Sequence, residues 1–205
     1  MARRRPDRAG WAARLTAQGL AAELADRLAA YLDLLARWGG AVDLFGGADP
    51  EGLLASLVRD ALAGLPHLGK TDTLVDIGSG NGFPAVPLLL ARPGVRGVLL
   101  EPRERRWAFL KEAARELGLS ADVRRERVGD HAGGGYDVAT VRGVGLEAWW
   151  PEASRLVKAD GRWLWWTSAA NAAALAARAP EGRVLPLPLS APSHGVLAVW
   201  SRCST

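Results

Sequence analysis

The stretch that most constrains this chain is TLVDIGSGNGFP, from Thr73 to Pro84. Thr73 to Ile77 is a short β-branched and apolar run, the pattern of a strand buried on both faces of a parallel sheet. Asp76 sits near its end. Gly78, Gly80 and Gly82 follow at alternate positions, and the apolar segment from Phe83 to Ala91 reads as a helix. Strand, glycine turn and helix form the first unit of a nucleotide-binding α/β sheet. Glycine permits positive φ, and without a Cβ it lets backbone approach a ligand closely. Nineteen residues beyond Gly82 comes Glu101, closing the apolar run Val98 to Leu100. An acid there can accept hydrogen bonds from both hydroxyls of a ribose. A dinucleotide fingerprint is G-x-G-x-x-G, with a third glycine for tight helix–strand packing. Phe83 stands in that place, which argues against a nicotinamide dinucleotide.

The rest of the chain alternates in the same way. Residues 1 to 8, rich in arginine, read as a basic arm that is either solvated or set against phosphates. From about Thr16 to Trp38, Leu20, Leu24, Leu28, Tyr31, Leu35 and Trp38 keep a helical period, and Gly39-Gly40 ends it. Asp49 as N-cap with Pro50 at the first helical position opens a second helix to about Leu62. After strand 73–77 and helix 83–91 come strand 96–101, helix 104–117, strand 121–126 and strand 136–141. A helix at about 146–156, a turn at Asp160-Gly161, strand 162–167 and helix 171–178 follow. Strands 183–189 and 196–202 close the chain as a hairpin-like pair. The expectation is a doubly wound α/β sheet, mostly parallel with an antiparallel C-terminal edge, preceded by helices. The organisation reads as a helical extension over 1–69 and a nucleotide-binding domain over 70–205.

Composition bounds the partners. The formal charge is +4 with 23 arginines and 3 lysines, which permits a nucleic-acid partner. Cys203 is the only cysteine, so neither an intrachain disulfide nor a cysteine metal site is possible. His67, His131 and His194 lack metal-ligand spacing and read as loop histidines. No apolar run reaches membrane-spanning length and no signal-peptide pattern follows the basic start, so a cytoplasmic chain is expected, acting as a monomer.

The G-x-G-x-G spacing after an acidic strand end resembles motif I of class I S-adenosylmethionine (AdoMet) methyltransferases, a Rossmann-like fold. More specifically, the chain from about Leu32 to Arg202 resembles the small-subunit ribosomal RNA guanine-N7 methyltransferase family, RsmG or glucose-inhibited division protein B. The residues that carry this are VDIGSGNGFPAVPL over 75–88, Arg92-Pro93, and EPRERRWAFL over 101–110. Arg127-Val128 is similar to the family's segment beside the adenine, and Val141 to Val144 to its S-R-A-F/V segment. Upstream, Leu35 to Trp38, Asp43-Leu44, Asp49-Pro50 and Arg59 to Leu62 follow the family's pattern. The chain departs from it at Gly39 and at Asp43 to Phe45, which stand for Asn and for N-L-T. It departs again at Ser56-Leu57, in place of an R/K-H pair, and at Thr167-Ser168, in place of K-G. The cofactor half is kept better than the substrate half.

The resemblance implies AdoMet as cofactor, ribosomal RNA or the small subunit as partner, no metal, and methyl transfer to guanine N7. It implies a cofactor site of Asp76, Gly78, Gly80, Gly82, Phe83, Glu101, Arg127, Val128 and Arg142. Guanine N7 carries an in-plane lone pair and no proton, so alignment can supply most of the rate and no general base is needed. The fourth strand lacks the D/N-P-P-Y/F of exocyclic-amine methyltransferases, and Cys203 is not placed for covalent attack. Arg142, at the end of that strand, is the candidate catalytic residue. It orients the cofactor carboxylate or the substrate, or it is a surface ion pair. Phe83 reads as a pocket wall or a core residue. Arg103, Arg105 and Arg106 track phosphates or form a solvated helix face. Trp163, Trp165 and Trp166 alternate as strand core rather than as base-stacking platforms. Three other readings stand beside the first: methylation of another RNA or a small molecule, a non-catalytic AdoMet-binding module, and, most distant, a nicotinamide oxidoreductase.

Overall fold

The first described residues open a helix, and residues 1–6 of the expected arm lie outside the described residues. The structure is a computed structural model that describes residues 7–39, 50–189 and 195–203. Helix α1 (Arg8–Ala17) is capped by the Asp7 carboxylate, which accepts the Gly10 N–H at 2.9 Å. It ends where Gly19 turns left-handed (φ 91°) and the Leu20 N–H reaches back to the Leu15 carbonyl at 3.2 Å. Asp7 and Arg8, expected in the arm, form the start of α1, and the expected helix from Thr16 to Trp38 is two helices broken at Gly19. Helix α2 (Ala22–Trp38) buries Leu28, Tyr31, Leu32 and Leu35, and Asp26 on it pairs with Arg8 at 2.6 Å. Helix α3 (Pro50–Leu62) follows. Asp43-Leu44, the Asp49 cap and His194 lie outside the described residues.

Seven strands form one sheet: β1 (Thr73–Ile77), β2 (Arg96–Leu100), β3 (Ala121–Arg124), β4 (Tyr136–Arg142), β5 (Val157–Thr167), β6 (Gly182–Pro188) and β7 (Val196–Arg202). Their order is β3-β2-β1-β4-β5-β7-β6. The first five run parallel, β5 pairs β7 antiparallel, and β7 pairs β6 antiparallel. Helices α4 (Ala85–Ala91), α5 (Glu104–Glu116), α6 (Trp150–Ala153) and α7 (Ala169–Arg178) make the connections. The chain winds outward from β1 to β3, then crosses back to lay β4 on the other side of β1. That reversal opens a crevice at the carboxyl ends of β1 and β4, where open α/β sheets bind ligands.

Two expectations fail around β5. The helix expected over 146–156 is a 3₁₀ turn (Leu146–Ala148) and the single-turn α6. Pro151 withholds an N–H there, and Trp149 and Trp150 are drawn into the core. The turn expected at Asp160-Gly161 lies inside β5. Register passes from Tyr136↔Val157 to Val138↔Arg162, so residues 158–161 bulge opposite Asp137. Asp137 anchors the bulge by accepting the Thr73 N–H (2.8 Å) and hydroxyl (2.7 Å) and by pairing with Lys158. A Cβ on Gly161 would come within 2.3 Å of Val157 Cγ1 and 2.9 Å of the Asp137 carbonyl oxygen.

Side chains alternate across the sheet into two cores. Leu74, Leu99, Leu164 and Trp166 join residues of α1 to α5 on one face; Val75, Ile77, Trp163 and Trp165 join α6 and α7 on the other. By the same alternation Asp76 points to the face of Leu74, toward the N-terminal helices. The outer edge strand β6 carries Pro186 and Pro188. Among the described residues, no helix is long and apolar enough to cross a membrane and no cluster could hold a metal ion.

Candidate cofactor cleft and active site

The glycine loop between β1 and α4 turns on three left-handed residues, Gly78 (φ 67°), Gly80 (φ 56°) and Gly82 (φ 94°). An L side chain is strained at each of them. The Ser79 N–H donates to the Leu100 carbonyl at 3.0 Å and the Gly82 N–H to the Ser79 carbonyl at 2.7 Å, folding the loop over the ends of β1 and β2. Glu101 then enters from the end of β2, 3% exposed. One carboxylate oxygen accepts the Gly80 N–H at 2.9 Å and the other the Arg103 N–H at 2.8 Å. A carboxylate has about four acceptor sites, so two backbone bonds leave capacity for ligand hydroxyls.

An open cleft of about 680 Å³ lies over this loop, inside the roughly 300–1,000 Å³ range of small-ligand sites. Gly78, Gly80, Phe83, Glu101, Arg127, Val128 and Arg142 line it. The other two expected site residues lie beneath the lining. Asp76 is buried and accepts the Thr140 hydroxyl at 2.6 Å. Burial pushes its carboxyl up to about 6, against the hydrogen bonds from Thr140 and Ser79. Gly82 faces the core, where an added Cβ would meet Val86 Cγ2 at 2.7 Å and the Tyr31 hydroxyl at 2.8 Å.

Arg142 sits at the carboxyl end of β4, its side chain 24% exposed. It reaches Asp60 of α3 at 3.2 Å through Nη2, while Nη1 is buried without a hydrogen-bond partner among the described residues. Burial lowers its pKa and Asp60 opposes the shift. Asp60 also tethers α3 to the sheet, since its carbonyl accepts the Trp166 indole N–H at 2.6 Å. A half-buried, half-satisfied guanidinium on a cleft wall is suited to an anionic or strongly accepting ligand group.

Sequence reasoning missed several lining groups. Leu57 of α3 lines the cleft, as do Ser79, Asn81, Glu126, Asp130 and Val144. Of the three arginines opening α5, Arg103 and Arg106 line it and Arg105 does not. His131, expected as a loop histidine, is buried. Its ring bonds Glu126 through Nδ1 and the Tyr136 hydroxyl at 2.8 Å through Nε2, bracing the segment that carries Arg127 and Val128. The E-x-x-x-x-H-x-x-x-x-Y spacing over 126–136 was the available signal. Trp163, Trp165 and Trp166 are buried and stack on no ligand surface.

The chain matches the GidB family, described as rRNA small subunit methyltransferase G, over residues 24–182. The chain belongs to this family. The ribosomal RNA small subunit methyltransferase G of Alkalilimnicola ehrlichii is 37% identical over 169 residues, 81% of this chain and 72% of that protein. The protein of that description from Nitrosospira multiformis is 41% identical over 118 residues, 57% of this chain and 54% of that one. Solved structures carry the fold at lower identity. A SAM-dependent methyltransferase from Aquifex aeolicus superposes with a TM-score of 0.60 at 16% identity, covering 77% of this chain and 95% of that one. A ribosomal protein L11 methylase from Lactobacillus delbrueckii gives 0.61 at 14%, covering 73% and 80%.

Membership in the methyltransferase G family makes this chain an AdoMet-dependent enzyme with a class I methyltransferase fold. The residues present suit that cofactor. The loop offers Cβ-free backbone, and a Cβ at Gly78 would press within 2.9 Å of Val144 Cγ2 on the far wall. Glu101 offers spare acceptors beside it, and Arg142 offers an unspent donor across it.

Proposed function

We propose that this enzyme transfers the AdoMet methyl group to N7 of a guanine in small-subunit ribosomal RNA, acting as a single cytoplasmic chain. The observation that carries the reading is the methyltransferase G match over residues 24–182, laid over a cleft in which Glu101 and the glycine loop are hydrogen-bonded. AdoMet supplies an electrophilic methyl on a good leaving group. The side chains have orientation as their main task. Glu101 holds the ribose hydroxyls, Arg127 and Val128 flank the adenine, and Gly78 and Gly80 admit the cofactor against backbone. Asp76 and Gly82 shape the loop from below. Arg142, hinged on Asp60, faces the cofactor carboxylate or the incoming nucleotide.

N7 needs no deprotonation, and the resulting charge on the base needs no proton acceptor. That accords with the position of Asp76, whose carboxyl is pushed to about 6 yet is sealed beneath the loop. Holding nucleophile and methyl in line is worth about 7–11 kcal/mol when the geometry is a near-attack one.

One observation favours a second reading. Leu57, where the family carries a histidine, lines the cleft, so an apolar wall replaces a polar one and another RNA or a small molecule becomes the substrate. Labelled methyl transfer decides between them. Small subunits and naked rRNA from a strain lacking the family enzyme are incubated with the protein and labelled AdoMet. Label at a guanine N7 is the expected result. AdoMet binding with no label on either RNA would end the first reading.

A further inference from the structure

The glycine loop is pinned at two points. Glu101 takes the Gly80 N–H from above. From below, the Tyr31 hydroxyl donates to the Asn81 carbonyl, fifty residues away in sequence. Tyr31 is fully buried in the middle of α2. Its ring packs on Phe83 with centroids 5.3 Å apart. Its hydroxyl occupies the place a Cβ on Gly82 would need, at 2.8 Å. Asn81 and Phe83 both line the cleft, and Tyr31 itself does not.

Tyr31 thus shares with Val86, at 2.7 Å, and with the left-handed φ of 94° the reasons that the third position is glycine. Gly82 is not where a ligand approaches; it is where a tyrosine from the N-terminal helices slides under the loop. We infer that Tyr31 is a positioning residue for AdoMet: its hydroxyl fixes the Asn81 peptide, and its ring fixes Phe83, so the cofactor loop holds its binding shape only while α2 is docked. Burial pushes the Tyr31 hydroxyl well above its ordinary range, with Asp76 adding to the effect, so it remains a protonated donor across the working pH. The inference rests on the reading of the cleft as the AdoMet site.

The test is Tyr31→Phe, which keeps the ring and removes the hydroxyl. AdoMet Kd is read by calorimetry, and KM and kcat by methyl transfer at saturating rRNA, well below Tm. Loss of one neutral hydrogen bond predicts a Kd and KM for AdoMet raised about three- to tenfold. The kcat at saturating AdoMet should stay within about twofold, because no reacting atom is touched. Leu15→Ala on α1 is the control, since it weakens the same helical layer. It should lower Tm at least as much and leave Kd unchanged. An unchanged Kd in Tyr31→Phe overturns the inference, and so does an equal rise in Leu15→Ala. Should the phenylalanine variant not fold, hydrogen exchange on the wild-type protein decides. AdoMet must then protect amides around Tyr31 together with those of 78–82, and protection of the loop alone overturns the proposal. If the wild-type protein does not bind AdoMet at all, the reading of the cleft falls first and this inference with it.

Discussion

The two faces of the sheet reach the cleft by different means. On one face, five helices bring aliphatic side chains such as Leu15, Leu32, Val58 and Leu88 against the strands, with Tyr31 and Phe109 among them. On the other, the four-residue α6 and the ten-residue α7 supply little helical mass. Tryptophans fill the thickness instead. Trp149 packs on Trp150, Trp163 and Trp165 with centroids 5.1–5.4 Å apart, and Trp150 reaches Trp200 at 5.3 Å. Large rings bury much area per residue without needing a regular helix beneath them. Buried indole N–H groups without a partner among the described residues occur on both faces, at Trp149 and Trp163 here and at Trp11 on the helical face. The helical face meets the glycine loop and cleft through named contacts, the Tyr31 hydroxyl bond to Asn81 and the Asp60–Arg142 pair, whereas the tryptophan face supports the sheet by bulk.

This contrast can be broken by experiment. The largest expected effect is on the tryptophan face. Trp163→Ala should cost about 3–5 kcal/mol of stability, as large-to-small core changes do. The fraction still folded should bind AdoMet normally. A weakened AdoMet Kd in that fraction would show that the indole cluster sets loop geometry as well, and the distinction between the faces would collapse.

Asp76 gives the next effect, on the helical face. Its folded pKa of about 6 lies above its ordinary value of 3.8, so the native state holds the proton more tightly than the unfolded chain. The stability this contributes is full below about pH 4 and lost as pH rises through 6. The shift corresponds to roughly 3 kcal/mol. Asp76→Asn keeps an acceptor for Thr140 and carries no charge. Denaturant unfolding should therefore find the variant more stable than the parent at pH 7–8, the gap closing toward pH 4. A gap independent of pH would mean that folding does not raise the Asp76 pKa.

The smallest effect sharpens the comparison within the cleft. Glu101→Gln should weaken AdoMet binding by about 1.5–3 kcal/mol, the worth of hydrogen bonds to a charged group. It exceeds the expected loss in Tyr31→Phe, because Glu101 holds the loop and is also the proposed partner of the ribose hydroxyls. Calorimetry showing the reverse order would move the main grip on the cofactor from the β2 end to α2.

Much of this architecture was legible in the chain. β1 ends where the β-branched run ends, and β2, β4, β6 and β7 begin or end within a residue or so of their apolar stretches. The acid at 101 and the arginine at 142 were readable because strand ends in a doubly wound sheet face one crevice. Other features depended on contacts distant in sequence. The Asp7 cap sat inside an arginine run and read as charge rather than as a helix start. Gly19 is a lone glycine in a helical pattern, and only its left-handed φ reveals a stop. The β5 bulge follows from Asp137 holding Thr73 and Lys158, a link across three strands that no local spacing encodes. Gly82 looked identical to Gly78 and Gly80 because part of what crowds it, the Tyr31 hydroxyl, lies on α2, fifty-one residues back in the chain.

The sheet's two margins have a consequence for life at high concentration. β6 pairs only with β7, and its Pro186 and Pro188 have no amide proton to offer a neighbour. At the opposite margin β3 is four residues long and exposes Asp122 and Arg124. Neither rim offers an unbroken row of donors on which a stray strand could zip, the hazard that open sheets carry. Both rims of the sheet are therefore blunted against edge-to-edge pairing with another strand.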